Sequence, residues 1–260
     1  MQNVLNTLRV LDEVAARQPV GVSDLARALE LPKSTVQRAL LTLREAGWLR
    51  QTEGDGGGAG RWVLTTKPLL LGRHATGELG LRDVAVPVME DLRRRCDETV
   101  HLAVPEGGKV VLIERLETSQ PVRIILPLGK NLPLHASANG KAVLAASTPE
   151  EIERHLTEEL PRFTETTVTD TAALREELAA IRERGYATND GEWRTDVSAT
   201  ASAVLGPSGQ PVASLSINIP SSRLTSASRA EHAELVREAA DRVGTALGGG
   251  PDRGLSRRTP

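Results

Sequence analysis

Residues 21–49 read GVSDLARALELPKSTVQRALLTLREAGWL, and the caps, turns and apolar spacing along them predict a helix, a tight turn and a second helix. Ser23 is placed to cap the first helix, its hydroxyl accepting from a backbone N–H left free there. Leu25, Ala28 and Leu29 then share one face at helical spacing. Pro32 disfavours helical geometry at Leu31 and ends the run, so a second helix starts afresh with Ser34 near its cap. Val36, Ala39, Leu40 and Leu43 form its buried stripe, which leaves Lys33, Ser34, Thr35, Gln37, Arg38 and Arg44 near its start or on its outer side.

A helix pair whose second outer face is short, polar and basic suits a DNA major groove lined by base-edge acceptors and phosphates. Read alone, the pattern fits a helical hairpin on a solvated surface as well. The following residues shift the balance, because 48–51 and 61–65 read as two short strands around the glycine-rich loop TEGDGGGAG. A helix pair followed by a hairpin is a winged helix, with Arg61 near the tip of the wing. Gln37 and Arg38 are then expected to read bases, and Lys33, Arg44 and Arg61 to hold phosphates. Ser23, Ser34 and Thr35 complete the candidate DNA-contacting set.

The chain has 260 residues, enough for a small domain and a larger one. A net charge of −2 excludes a general polyanion binder, so any nucleic-acid contact must be local. Cys96 is the only cysteine, which rules out an internal disulfide and agrees with a reducing compartment. Residues 3–17 form a soluble amphipathic helix with Val4, Leu8, Leu11 and Val14 or Ala15 on one stripe, unlike a secretory signal. No apolar run approaches the roughly 20 residues that span a bilayer, and a cytoplasmic protein is expected.

Beyond the wing, 67–98 read as linker helices. Leu81, Val84, Ala85, Val88, Leu92 and Cys96 keep one helical stripe, and Pro87 should kink that helix or mark a first turn. Val86 and Met89 lie off the stripe, which makes this helix a candidate for dimer contacts. From Thr99 the period changes to that of strands. Residues 99–104, 109–116 and 121–126 read as three strands, the first two joined across PEGG. Helices follow at ANGKAVLAAS, from Pro149, and from Thr171 to Arg184 with Gly185 as the stop. YATND, SATASAVL and PVASLSIN supply three more strands, and a last helix spans 226–247. Residues 99–247 are therefore an α+β domain around an antiparallel sheet. Residues 248–260 lack apolar periodicity and read as a flexible tail.

With a winged helix-turn-helix domain over 1–66, the linker and this sheet domain in order, the chain to about residue 247 resembles the IclR (isocitrate lyase regulator) family of bacterial transcription factors. The resemblance is carried by SDLARALELPKSTVQRALLTL, by LPLHASANGKAVLA, and by GYATNDGEW with VASLSINIPSSRLT. It implies a winged head that reads double-stranded operator DNA and a GAF-like domain that binds a small metabolite. It also implies a homodimer or a dimer of dimers, a role as repressor or activator, and neither enzymatic activity nor a cofactor. Matched residue by residue, it implies an effector pocket at Ser137, Ala138, Asn139 and Gly140, at Asn189, at Ala199, and at Ser216 and Asn218. The family often has cysteine where Ala199 stands, so a guest bulkier than glyoxylate, such as a ring-bearing acid, is expected.

The pocket also has a physical rationale. A helix beginning near Ser137 aims free N–H groups and the positive end of its dipole at whatever lies before it, which favours a carboxylate. Ser216 and Asn218, two apart on a strand, face one side and offer a hydroxyl and an amide. The bland alternative is that these groups only cap the helix and satisfy one another. Two other readings compete. A serine hydrolase would use Ser137 with His135 and Asp190 or Asp196, although no G-x-S-x-G elbow is present. A metal site would draw on Cys96, His101 and His135, none of them at recognised ligand spacing.

Overall fold

A computed structural model describes residues 2–52, 60–71, 80–157 and 159–248. By its contacts the chain divides into two compact units, Met1–Glu78 and Leu79–Pro260. The wing loop at 53–59, the connector at 72–79 and the tail from 249 lie outside the described residues.

The first unit packs α1 (Gln2–Arg17), α2 (Val22–Leu29) and α3 (Lys33–Glu45) beside the antiparallel hairpin β1 (Leu49–Gln51) and β2 (Trp62–Leu64). The α3 stripe is as the spacing predicts, with Val36, Ala39, Leu40 and Leu43 buried. Its core continues through Val10, Val14, Leu25, Leu49 and Trp62, and Val20 bridges to Trp62.

Four local expectations are corrected. Gly21, not Ser23, is the N-cap of α2, and Ser23 stands exposed in the first turn; the buried face is Leu25, Ala26 and Leu29, with Ala28 outside. That helix stops at Leu29, because Glu30 turns left-handed (φ 55°) and its N–H and that of Leu31 close back on Arg27 and Ala26. Pro32 is the N-cap of α3 and its carbonyl accepts from Thr35 and Val36, so Ser34 caps nothing. In α1 the buried stripe is Asn6, Val10 and Val14, while Val4 and Leu8 are 66% and 51% exposed. This helix carries apolar residues around much of its girth, so periodicity alone cannot choose the face that packs.

The second unit is a six-stranded sheet in the order β5-β4-β3-β8-β7-β6, antiparallel throughout. Its strands are β3 (Thr99–Glu106), β4 (Lys109–Leu116), β5 (Asn131–Leu132), β6 (Ala187–Asp190), β7 (Val197–Leu205) and β8 (Pro211–Pro220). Gly107 and Gly108, both at positive φ (55° and 77°), make the tight β3–β4 turn that PEGG predicts. One face of the sheet, with Val100, Leu102, Leu215 and Ile217, is covered by α4 (Leu81–Cys96) and α8 (Ser226–Ala246). The other, with Ala103, Leu112, Ala199 and Ala201, is covered by α5 (Ala138–Ala146), α6 (Pro149–Leu156) and α7 (Thr171–Arg184). Gly185 ends α7 at φ 80°, and Thr148 with Glu151 forms a capping box around Pro149 at the start of α6.

Two further readings fail here. Pro87 lies inside the continuous helix α4, past its first turn, and Met89 is wholly buried in the core beneath it, so only half-buried Val86 remains off the stripe. Met89 is therefore unavailable as a dimer contact. Residues 121–126 form no strand. The edge of β4 is taken instead by the turn that follows, where Leu112 donates to Lys130 O and accepts from Gly129 N, and by β5. Ile124 and Leu126 still point inward, but Arg115 occupies the Leu126 carbonyl that a ladder would need.

Candidate functional site

On α3, the residues opposite the buried stripe are Lys33, Ser34, Gln37, Arg38 and Arg44, all exposed, with Thr35 half-buried. Lys33, Arg38 and Arg44 have no acidic partner among the described residues, so their charge is open to a polyanion. Arg61 differs. Its guanidinium donates to the Pro19 carbonyl (3.1 Å) and lies 4.0 Å from Asp24, which ties it to the chain between α1 and α2.

In the second unit, Ser137, Ala138, Asn139, Asn189, Ala199 and Asn218 line one cavity between the start of α5 and the sheet. Ile124, Leu126, Leu132 and Val197 give it apolar walls, and Trp193 with Arg194 forms another side. The cavity is narrow. Its volume is about 20 Å³, room for about one water. Any larger guest must move the walls.

Several of the expected polar groups are satisfied internally. The Ser137 hydroxyl caps α5 by accepting from Gly140 N (3.0 Å) and donates to Pro133 O (2.7 Å). Asn189 donates to Ala136 O and accepts from Glu192 N, both at 2.9 Å, so it fastens the approach to α5 to the loop after β6. Gly140 and Ser216 do not line the cavity. A Cβ on Gly140 would lie 2.3 Å from Pro133 O, so glycine permits the close pass of that loop. Ser216 is wholly buried and accepts from Asn218 Nδ2 (2.9 Å).

Other groups are left free. The backbone N–H groups of Ala138 and Asn139, at the start of α5, have no partner among the described residues. His101, on the same face of β3, also lines the cavity; it is completely buried and neither ring nitrogen has a partner among the described residues. Burial, and to a lesser degree the Arg115 charge, pushes its pKa down to about 3, so the imidazole is neutral. Sequence reasoning considered His101 only as a metal ligand. The period-2 pattern of THLAV places it on one face with Thr99, but the partner strand that brings it to Asn218 and the cavity is more than 110 residues away.

Lys141 was missed altogether. It lies on α5 with its side chain fully buried, its ammonium 2.6 Å from Glu177 and 2.6 Å from Glu192. Burial raises the pKa of Glu192 while Lys141 opposes the shift.

The competing readings find no geometry. His135 Nε2 meets Pro161 O at 3.0 Å and its ring stacks on Phe163, while the Ser137 hydroxyl is committed as described, so the two form no nucleophile–base pair. Among the described residues no three His, Cys, Asp or Glu side chains converge on a metal position, and Cys96 is held protonated by burial, its pKa about 11. No described helix is long and apolar enough to cross a membrane.

Comparison with known proteins gives one family. The profile of the IclR helix-turn-helix domain matches residues 4–53, and that of the bacterial transcriptional regulator IclR C-terminal matches 73–245. The HTH-type transcriptional repressor AllR of Escherichia coli strain K12 is 37% identical over 229 residues, 88% of this chain and 83% of AllR. The Thermotoga maritima IclR structure superposes with a TM-score of 0.82 at 27% identity, covering 95% of this chain and 99% of that one. An IclR homolog from Microbacterium hydrocarbonoxydans, solved in complex with 4-hydroxybenzoate, superposes at 0.79 with 31% identity, covering 95% and 99%.

Proposed function

This chain belongs to the IclR family and is a DNA-binding transcriptional repressor, and from that premise we propose that a small organic acid bound in the cavity before α5 modulates its hold on operator DNA. The observation that carries the reading is the pair of free N–H groups at Ala138 and Asn139, aimed where a carboxylate would gain from both hydrogen bonds and the helix dipole. Asn139, whose amide donates to Ser214 Oγ, and Asn218 fix the polar floor, and the small side chain of Ala199 makes room for a ring once the surrounding walls move apart. The 4-hydroxybenzoate complex of the Microbacterium homolog supports a ring-bearing acid. The protein works by binding, without turnover.

On the DNA side, Gln37 and Arg38 read base edges, and Lys33 and Arg44 hold phosphates beside them; Ser23, Ser34 and Thr35 flank that face. Arg61, already engaged by Pro19 and Asp24, orients the hairpin and contributes to backbone contact. A homodimer or dimer of dimers would set two such heads on a near-palindromic site. With Met89 buried, the exposed Val4, Leu5 and Leu8 of α1 are the apolar row that supports association. Light scattering that gives a monomer at micromolar concentration would remove that part.

An acid changes operator affinity only through unequal affinity for DNA-competent and incompetent arrangements, typically worth about 1–3 kcal/mol. The test is an operator mobility shift with and without 4-hydroxybenzoate and short oxo acids, beside thermal shifts of the same mixtures. A melting temperature and an operator affinity that no acid moves would sink the proposal.

A further inference from the structure

The cavity has two polar ends of different character. At one, the helix start presents only donors, the N–H groups of Ala138 and Asn139. At the other stands His101, fully buried, opposite Ser216 on β8 and Arg115 on β4, with both ring nitrogens unpartnered among the described residues. A buried polar group left without a hydrogen bond costs stability, so two orphaned nitrogens on a cavity wall mark a place where a guest supplies the partner.

The chemistry of that partner follows from the imidazole. Uncharged, it offers one N–H donor and one bare nitrogen acceptor. A carboxylate accepts only, and an ammonium donates only, so each would suit one tautomer and clash with the other. A hydroxyl both donates and accepts and suits either. Arg115, whose two terminal nitrogens donate to Leu126 O and Glu117, keeps positive charge near this end and so disfavours a cationic guest.

We infer that the cavity takes an acid bearing a second, uncharged hydroxyl group and that His101 is the residue that reads that hydroxyl, an assignment that rests on the effector reading above. His101 thereby sets specificity, while the start of α5 supplies the affinity common to all small acids.

The experiment is calorimetry on the full chain with two matched pairs, 4-hydroxybenzoate beside benzoate and lactate beside propionate. In the native protein the hydroxylated member of at least one pair should bind tighter by about tenfold or more, since a site built around a hydroxyl strongly rejects the analogue lacking it. His101→Phe should reduce that advantage to about twofold or less, whatever the added bulk does to the affinity shared by both members of a pair. A purely structural His101 would weaken both members alike. An advantage that persists in His101→Phe, or parent and hydroxy acids bound equally by the native protein, overturns the assignment. If none of the four acids binds native protein that still binds operator, the effector reading itself fails and takes this one with it. Should His101→Phe fail to fold by circular dichroism, the smaller His101→Leu answers the same question.

Discussion

The ammonium of Lys141 lies 2.6 Å from Glu192 Oε2, and no part of the Lys141 side chain reaches solvent. This contact pins α5 to the loop that carries Trp193 and Arg194, and the same ammonium also holds Glu177 of α7 at 2.6 Å, so one buried cation ties the floor of the cavity to one of its walls. The Glu192 backbone is fixed as well, its carbonyl accepting from Thr167 Oγ1 at 2.6 Å.

Replacing Lys141 by Met leaves Glu192 buried without its countercharge, a change that typically costs about 3–5 kcal/mol. Urea unfolding of the second unit should shift accordingly, and the double variant Lys141→Met with Glu192→Gln should recover a good part of the loss, because the stranded charge is gone. A single variant as stable as the native chain would show that the pair is not closed off from water.

Stability should also depend on pH through His101. Its folded pKa, about 3, lies below the ordinary histidine value because burial disfavours the charged ring. Below about pH 6.5 the unfolded chain binds a proton that the folded chain refuses, so folding stability falls as pH drops, by up to roughly 1.4 kcal/mol per pH unit, until about pH 3. His135 and His232, both shifted down by burial, act in the same direction. The difference between native protein and His101→Phe isolates the one residue, and the variant should lose less stability between pH 6 and 4. Parallel curves would mean that the ring reaches water.

How much of this the residues announced depends on whether a feature is local. The α3 stripe, the Gly185 stop and the Pro149 start are settled within one or two turns and could be read directly. The strand expected at 121–126 was not, because its alternation is real but the β4 edge it needed is claimed by residues 129–132, a competition between distant segments. The same holds in the site. The start of α5 was legible from Ser137 and the small residues after it, whereas His101 and Lys141 become meaningful only through partners on other elements. A lysine within the run of small and apolar residues ANGKAVLAA, which holds no other charge, was the one available hint of a buried ion pair.

Gly140 gives a third test. Gly140→Ala puts a methyl group 2.3 Å from Pro133 O and 2.6 Å from Leu134 Cα, too close to tolerate without moving the backbone. Overpacking of this sort costs about 1–3 kcal/mol, and it displaces the segment that seats Ser137 at the helix cap. Acid affinity by calorimetry should fall, while operator binding without acid stays near native because the residue lies in the other unit. Unchanged acid affinity would place the carboxylate elsewhere.

Two kinds of DNA contact on α3 are separable by mutation. Arg38 is exposed beside Gln37 on the face opposite Val36 and Leu40, and no acidic side chain among the described residues holds it, so its planar fork is free for a guanine edge. Lys33 stands at the helix start, a flexible point charge better suited to a phosphate. Arg38→Ala should therefore cost about 1–3 kcal/mol on the operator, much less on random DNA, and relax preference at one position. Lys33→Ala should weaken both kinds of DNA by similar factors and lower the slope of log affinity against log salt by about one. Ser23→Ala should leave the fold of the head intact, because its hydroxyl caps nothing in α2, so any loss of DNA binding in that variant reports a contact at the edge of the face. Mobility shifts at three salt concentrations, on operator and on scrambled duplex, decide the matter. If Arg38→Ala lowers both affinities equally, Arg38 holds backbone and base reading passes to Gln37 or its neighbours.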